Sequence, residues 1–160
     1  MSQDFERHLL VDGSNIMHAW PDLRTLLKRD RDAARSRLSA ALSVLHDAEH
    51  LRVSLVFDGR GPEMLVERPS GHVTFSHVYT PAGTTADQVI EGIVGRSGRP
   101  GACVVATDDR AERNAVEALG GSAVSSEDLA SWVSRAGGRQ RARVEERRRD
   151  NEAAWSRPRP

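Results

Sequence analysis

Four short apolar runs recur along the chain: HLLV at 8–11, VSLVF at 53–57, VTFSHVY at 73–79 and CVVA at 103–106. They are rich in valine and bounded by turn residues, the pattern of buried strands. A fifth short strand is expected near Ser122–Val124. The segments between them carry helical periodicity, so the strands are joined as parallel βαβ units rather than hairpins. Ala34, Leu38, Ala41, Leu42 and Leu45 mark a long helix over roughly 31–50. Thr85-Ala86-Asp87-Gln88 is a capping-box pattern, followed by the apolar stripe Val89, Ile90, Ile93 and Val94. A third helix begins near Asp109, with Glu112 in the box position, and a fourth after Ser125 or Ser126 with Leu129, Trp132 and Val133 facing inward. The expected fold is α/β, a three-layer sandwich with a mostly parallel central sheet flanked by helices.

At 160 residues the chain suits one domain with a real core. Gly137-Gly138 is expected to break the last core helix, dividing a domain at 1–136 from a tail at 137–160. The tail is basic and Arg-rich, expected to be partly helical or disordered, with SRPRP disordered at its end. Arg135 to Pro160 hold nine arginines against four acids, a net +5, so residues 1–134 carry −5 within a formal net charge of zero. An acidic body with a basic tail is compatible with a cation site and an anionic partner. One cysteine, Cys103, excludes an internal disulfide framework and a cysteine-based zinc cluster. No 18-residue apolar run occurs and MSQDFER is not a signal peptide, so a soluble cytoplasmic protein is expected, with no membrane partner.

The acids fall in a pattern. Asp12 follows the first run, Asp58 the second, and Asp108-Asp109 the fourth, while Asp87 opens the helix after the third. Each has an ordinary explanation. Asp12-Gly13 and Asp58-Gly59 suit turns. Asp109 suits a helix N-cap, worth roughly 1 kcal/mol, and Asp87 gains from the helix dipole. Together they place a carboxylate at one edge of one sheet four times over, and that edge is where ligands bind in open parallel α/β sheets. Converging carboxylates resist ionisation unless a cation intervenes. All-oxygen ligands suit Mg²⁺ or Mn²⁺, which keep waters and take substrate phosphates. The chemistry this points to is metal-assisted phosphodiester hydrolysis.

DGSN after the first strand, VFDG at 56–59, TTADQVIE at 84–91 and VVATDDRAE at 104–112 resemble the YacP-like branch of the NYN domains, relatives of the PIN-domain nucleases. The resemblance spans roughly residues 7–136. It implies a PIN-like fold and a metal-dependent endoribonuclease, with RNA as partner and a role linked to translating ribosomes. By position, Asp12 matches the first metal-binding aspartate, Asn15 the family's asparagine, Asp87 the acid of the central helix, and Asp109 the aspartate after a threonine, here Thr107. Asp58 matches the acid after the second strand. Asp12, Asp87 and Asp109 are thus expected to hold one or two Mg²⁺ or Mn²⁺ ions, with Asp58 and Asp108 as further ligands. Asn15 is expected to orient a water or hold a phosphate oxygen.

Two departures stand out. Relatives often carry glutamate where this chain has Thr84 and Thr85, which leaves Glu91 as a substitute, and Asp108 adds an acid. The basic tail lies outside the family pattern. RNA contacts are expected from Arg60, Arg110 and Arg113, with Arg68, the tail arginines and the Thr107 hydroxyl as further candidates, and from Trp20 and His18 in a loop after the first motif. The rival reading that shares the fold is a catalytically inactive RNA- or ribosome-binding module with a vestigial site. Two other α/β phosphate chemistries lose their residues here. An aspartyl-nucleophile phosphatase needs Asp-x-Asp after the first strand, where this chain has Ser14, and a receiver domain needs a late lysine, whereas Lys28 is the only one.

Overall fold

A computed structural model describes residues 7–156. The chain runs β1 (Arg7–Asp12), α1 (Gly13–Ala19), α2 (Pro21–Leu27), α3 (Arg31–Ala48), β2 (Leu51–Phe57), β3 (Leu65–Glu67), β4 (Phe75–Tyr79), α4 (Ala86–Arg96), β5 (Cys103–Ala106), α5 (Arg110–Ala118), β6 (Ser122–Val124) and α6 (Ser126–Ser156). The sheet has six strands in the order β3-β4-β2-β1-β5-β6. Every pairing is parallel except the edge pair β3–β4. The α/β sandwich read from the sequence is therefore the observed class.

Strand alternation builds the three layers. Leu9 and Val11 of β1 join Val53, Leu55 and Phe57 in a core shared with α1, α2, α3 and α6. Leu10, on the opposite pleat, joins Val56, Val78 and Val105 under α4 and α5, represented by Ile90, Val94 and Val116. From β1 the chain builds outward through β2 to β4, then α4 carries it back across to β5 on the other side of β1. The strand order thus reverses where β1 and β5 part, at their C-terminal ends. That is the crevice a doubly wound sheet offers to a ligand.

Three local expectations change. The segment after the first strand is not a loop: Asp12 caps α1, with Asn15 N donating to Oδ1 at 3.4 Å, and Pro21 starts α2. Trp20 sits between these helices, half-buried against the core, with its indole N–H donating to Ser126 O at 2.9 Å. It anchors the two helices to the start of the last one. Leu65–Glu67 forms β3, an exposed three-residue edge strand too short to give a periodic signal.

The break expected at Gly137-Gly138 does not occur, and α6 continues to Ser156. A glycine costs a helix about 1 kcal/mol relative to alanine, but here α6 lies along α3, and a Cβ built on Gly137 would stand 3.7 Å from Val44 Cγ1. Glu49, just past α3, locks the contact. It accepts from Trp132 Nε1 at 2.8 Å and Arg139 Nη2 at 2.7 Å, and Arg7 reaches it at 3.3 Å. Docking ends with Gln140, whose Nε2 donates to Val44 O, and every residue from Arg141 to Trp155 is exposed. The disorder expected for SRPRP falls, after Ser156, outside the described residues.

Glu49→Ala leaves the Trp132 N–H without its partner and two arginines without their acid. We expect a loss of about 2 kcal/mol in urea denaturation. Ending the chain after Gln140 should leave the melting temperature within about 2 °C, since the removed side chains touch no core.

Candidate active site

The C-terminal edge of the sheet carries a cleft of about 370 Å³. Asp12, Asp58, Asp87, Asp109 and Glu112 all line it, together with Ser14, Asn15 and His18. Four of the five expected metal-binding acids are therefore brought together, and with them a fifth acid that the sequence reading had assigned to helix capping.

Backbone sterics set the corner. Gly13 is glycine because a Cβ there would meet the Phe57 ring at 2.5 Å and Val56 O at 3.0 Å. Only a bare backbone lets α1 start this close to β2. Gly59 answers the same need, since its Cβ would stand 2.1 Å from Thr80 O. The two Asp-Gly pairs are thus close-approach points rather than simple turns. Around the cleft, the starts of α1, α4 and α5 converge, each held by a carboxylate or hydroxyl. Asp58 Oδ1 accepts from Ala86 N at 3.0 Å, and Asp109 Oδ1 from Glu112 N at 3.0 Å. The α4 capping box forms as expected, with Thr85 and Gln88 bonded reciprocally. Helix N-termini favour negative charge nearby, which offsets part of the mutual repulsion of the acids.

Glu112 is the residue the sequence hid. It stands three after Asp109, where a capping box would send its side chain back to Asp109 N. That N–H donates instead to Thr107 Oγ1 at 3.1 Å, and Glu112 is free to turn inward. It is 2% exposed, its carboxyl lies against Asp12 and the Thr107 hydroxyl, and its Oε1 has no hydrogen-bond partner. Burial, then the neighbouring Asp12, push its pKa up to about 9. Asp12, itself 9% exposed, is raised by burial and by Asp58 and Asp87, against opposing help from Glu112 and Asn15.

Other assignments need correction. Asp108 does not line the cleft: its Oδ1 accepts from Ser126 N at 2.7 Å and its Oδ2 from Ser126 Oγ at 2.6 Å, so it is tied to the start of α6. Thr107 is fully buried and serves Asp109 and Glu112, so it is not an RNA contact. Asn15 lines the cleft, its Oδ1 accepting from Asp108 N at 2.8 Å. Glu91, the expected substitute acid, is not among the lining residues, nor are Arg110 and Arg113. Arg60 borders a neighbouring groove that shares Asp58.

A cleft rich in carboxylates, with a buried, unpartnered Glu112 Oε1 beside Asp12, fits a hard divalent cation. Among the described residues, no three His, Cys, Asp or Glu side chains are grouped so as to hold an ion unaided. Such ions keep water and take only one or two protein carboxylates when a phosphate completes the shell.

Fold and site together define the class: a parallel α/β domain of the PIN-like nuclease type, with its acids gathered at the topological switch. A profile of the YacP-like NYN domain matches residues 9–158, and the chain belongs to that family. The match takes in the basic helix that had been set outside the family pattern. YacP of Bacillus subtilis (strain 168) is 32% identical over 83 residues, 52% of this chain and 48% of that protein, so the aligned part spans about half of this curated relative. A crystal structure of Rae1 (YacP) from Bacillus subtilis is similar at TM-score 0.75 and 28% identity, covering 94% of this chain and 85% of that one. A point mutant of the same protein gives TM-score 0.73 and 27% identity, covering 88% and 82%.

The raised acid has a consequence for stability without metal. Unfolded, Glu112 loses its proton near 4.5; folded, it keeps it up to about 9. The folded state then binds more protons across that window, so stability falls as pH rises, by at most about 1.4 kcal/mol per unit. His8, pushed down to about 4 by burial and by Arg52, acts in the opposite sense below about 6.5. Thermal melts in chelator between pH 7 and 9 therefore read the Glu112–Asp12 pair with His8 silent. The melting temperature should fall over that range in the wild type and stay flatter in Glu112→Gln.

Proposed function

We propose that this chain is a metal-dependent endoribonuclease that hydrolyses RNA phosphodiester bonds with one or two Mg²⁺ or Mn²⁺ ions. We place it in the cytoplasm, with messenger RNA in a translation-linked setting as the substrate class to test first. The observation that carries the reading is the gathering of Asp12, Asp58, Asp87, Asp109 and Glu112 in one open cleft, with Asp12 and Glu112 buried and Glu112 Oε1 without a partner. Family membership supports nuclease chemistry. No described helix is long and apolar enough to cross a membrane.

Asp12 and Glu112 would hold the cation directly, and Asp87, Asp109 and Asp58 through water. A bound divalent ion supplies neutralising charge at the phosphoryl group and a stronger water nucleophile at neutral pH. The chain supplies the rest. Asn15 has its carbonyl committed to Asp108 N, which leaves its amide N–H groups to donate to a phosphate oxygen. The converging starts of α1, α4 and α5 favour a phosphate over other ligands of its size. Burial of Asp12 and Glu112 keeps bulk water from screening these interactions.

The second reading, an inactive RNA- or ribosome-binding module, draws on two observations. Among the described residues no three groups are arranged to hold an ion unaided, and Thr84-Thr85 stand where the family resemblance implies a glutamate. In the fold that position has structural work, because Thr85 caps α4 and Thr84 O accepts from the Thr80 hydroxyl at 2.8 Å.

Incubating labelled RNA with the purified protein across a divalent-metal series, with and without chelator, separates the two. Cleavage should require Mg²⁺ or Mn²⁺, and Asp12→Asn should reduce it by about 10³-fold or more with an unchanged circular dichroism spectrum. Asp108→Asn should cut at near wild-type rate. Tight binding without cleavage under every metal favours the second reading.

A further inference from the structure

An acidic cleft repels the polyanion it is meant to cut, so the strand needs a basic grip close by. Of the arginines expected to supply it, Arg110 and Arg113 line none of the cavities around the site, and Arg60 lines only an outer one that shares Asp58 with the cleft. The cleft does continue elsewhere. It shares Ser14, His18 and Asp58 with a narrow passage of about 120 Å³, which also holds Arg31 and Arg35. That passage shares Arg31, Arg35 and Asp58 with an outer chamber of about 530 Å³. Acid end, waist and chamber form one track along the β2–β4 side of the molecule.

The waist is the basic part. Asp58 is its only acid, against Arg31, Arg35 and the exposed His18. Arg35 is preset. Its guanidinium lies 5.1 Å from the Phe57 ring centre and 5.6 Å from that of Tyr79, and those two rings stack at 5.6 Å. Cation–π contact holds the planar fork without using its donors, and Arg35 Nε has no hydrogen-bond partner. Besides Asp58 of the waist, it has Asp32 at 3.9 Å with a 94% exposed side chain, an ion pair that solvent weakens. The outer chamber is different: Asp32, Asp58 and Glu63 match Arg31, Arg35 and Arg60 in charge, while Tyr79 and the exposed Leu65 offer an apolar wall. A phosphate fits the waist and a base fits the chamber.

We infer that the waist formed by Arg31 and Arg35 grips the backbone of single-stranded RNA next to the scissile phosphate. The neighbouring base then lies in the outer chamber against Tyr79. This rests on the nuclease reading and adds the side from which the strand enters. The passage is too narrow for a base pair, so a duplex does not follow the track. The contacts are to phosphate and to a ring face, and hence tolerant of sequence.

The test is fluorescence anisotropy with a short labelled single-stranded RNA in chelator, over a salt series, where no cleavage intervenes. Arg31→Ala with Arg35→Gln should weaken binding by about tenfold or more and lower the log–log salt slope by about 1.4, near 0.7 for each lost phosphate contact. Arg35 packs on two rings, so Arg31→Ala alone and the charge-preserving Arg35→Lys are measured beside it. The first should lower the slope by about 0.7 and the second leave the slope unchanged. A duplex of the same sequence should show no loss specific to these variants. The inference is overturned if the double variant binds as wild type, or if Arg110→Ala with Arg113→Ala, an equal charge change, costs as much or more. The metal series keeps the two readings apart. Binding through the waist without cleavage sinks the nuclease and leaves the track, whereas cleavage with unchanged KM in the Arg31/Arg35 variant sinks the track and leaves the nuclease.

Discussion

Asp12 and Glu112 share a buried corner that neither can occupy comfortably in its charged form. Both are largely buried, Glu112 Oε1 has no donor, and both acids hold their protons more tightly than free carboxylates. A fold seeking stability alone would fill such a corner with apolar side chains. Keeping two acids there makes sense if something positive is to enter, and much of the architecture serves to bring them together. Gly13 strips a Cβ so that α1 can start against Phe57, Thr107 takes the Asp109 N–H so that Glu112 can turn inward, and Asp58 ties the start of α4 to the end of β2.

The same constraint explains the division of charge around the site. With five acids at the strand ends, positive charge has to be held beside the cleft rather than within it. The protein holds it by stacking: Arg35 rests on Phe57 and Tyr79, whose backbones belong to the neighbouring strands β2 and β4. A strand entering from this side meets a phosphate grip before it meets the acids. The long exposed end of α6 contributes nothing to the cleft, because its last core contacts lie at Arg139 and Gln140.

Much of this was legible in the sequence, for identifiable reasons. Buried parallel strands write themselves as valine-rich runs, so β1, β2, β4 and β5 and the acids after them stood out. Helices with broad apolar stripes, α3 and α4, did so as well. Weakly patterned pieces were lost. Gly13-Ser14-Asn15 are poor helix formers, and only the Asp12 cap and close packing make α1 helical. β3 is three exposed residues held by one neighbour. Gly137-Gly138 looked like a break because propensity speaks for an isolated helix, whereas α6 has α3 and Glu49 beside it. At the site, Asp109 was expected as a principal ligand and Asp108 as a further one; the geometry separates them completely, Asp109 lining the cleft and Asp108 turning both of its oxygens to Ser126. Glu112 was visible but misassigned, since a capping glutamate and a buried one have the same spacing.

The central claim is that these carboxylates hold a cation in contact with the phosphate being cut. Sulfur substitution tests it most directly. RNA carrying a phosphorothioate at the scissile position, with one non-bridging oxygen replaced, is compared with normal RNA in Mg²⁺ and in Mn²⁺. Magnesium binds sulfur poorly and manganese tolerates it better. With a cation on that phosphate, one stereoisomer is cut far more slowly in Mg²⁺ and Mn²⁺ restores much of the rate. Equal rates for sulfur and oxygen in both metals, or the same loss in both, would contradict a cation on that phosphate.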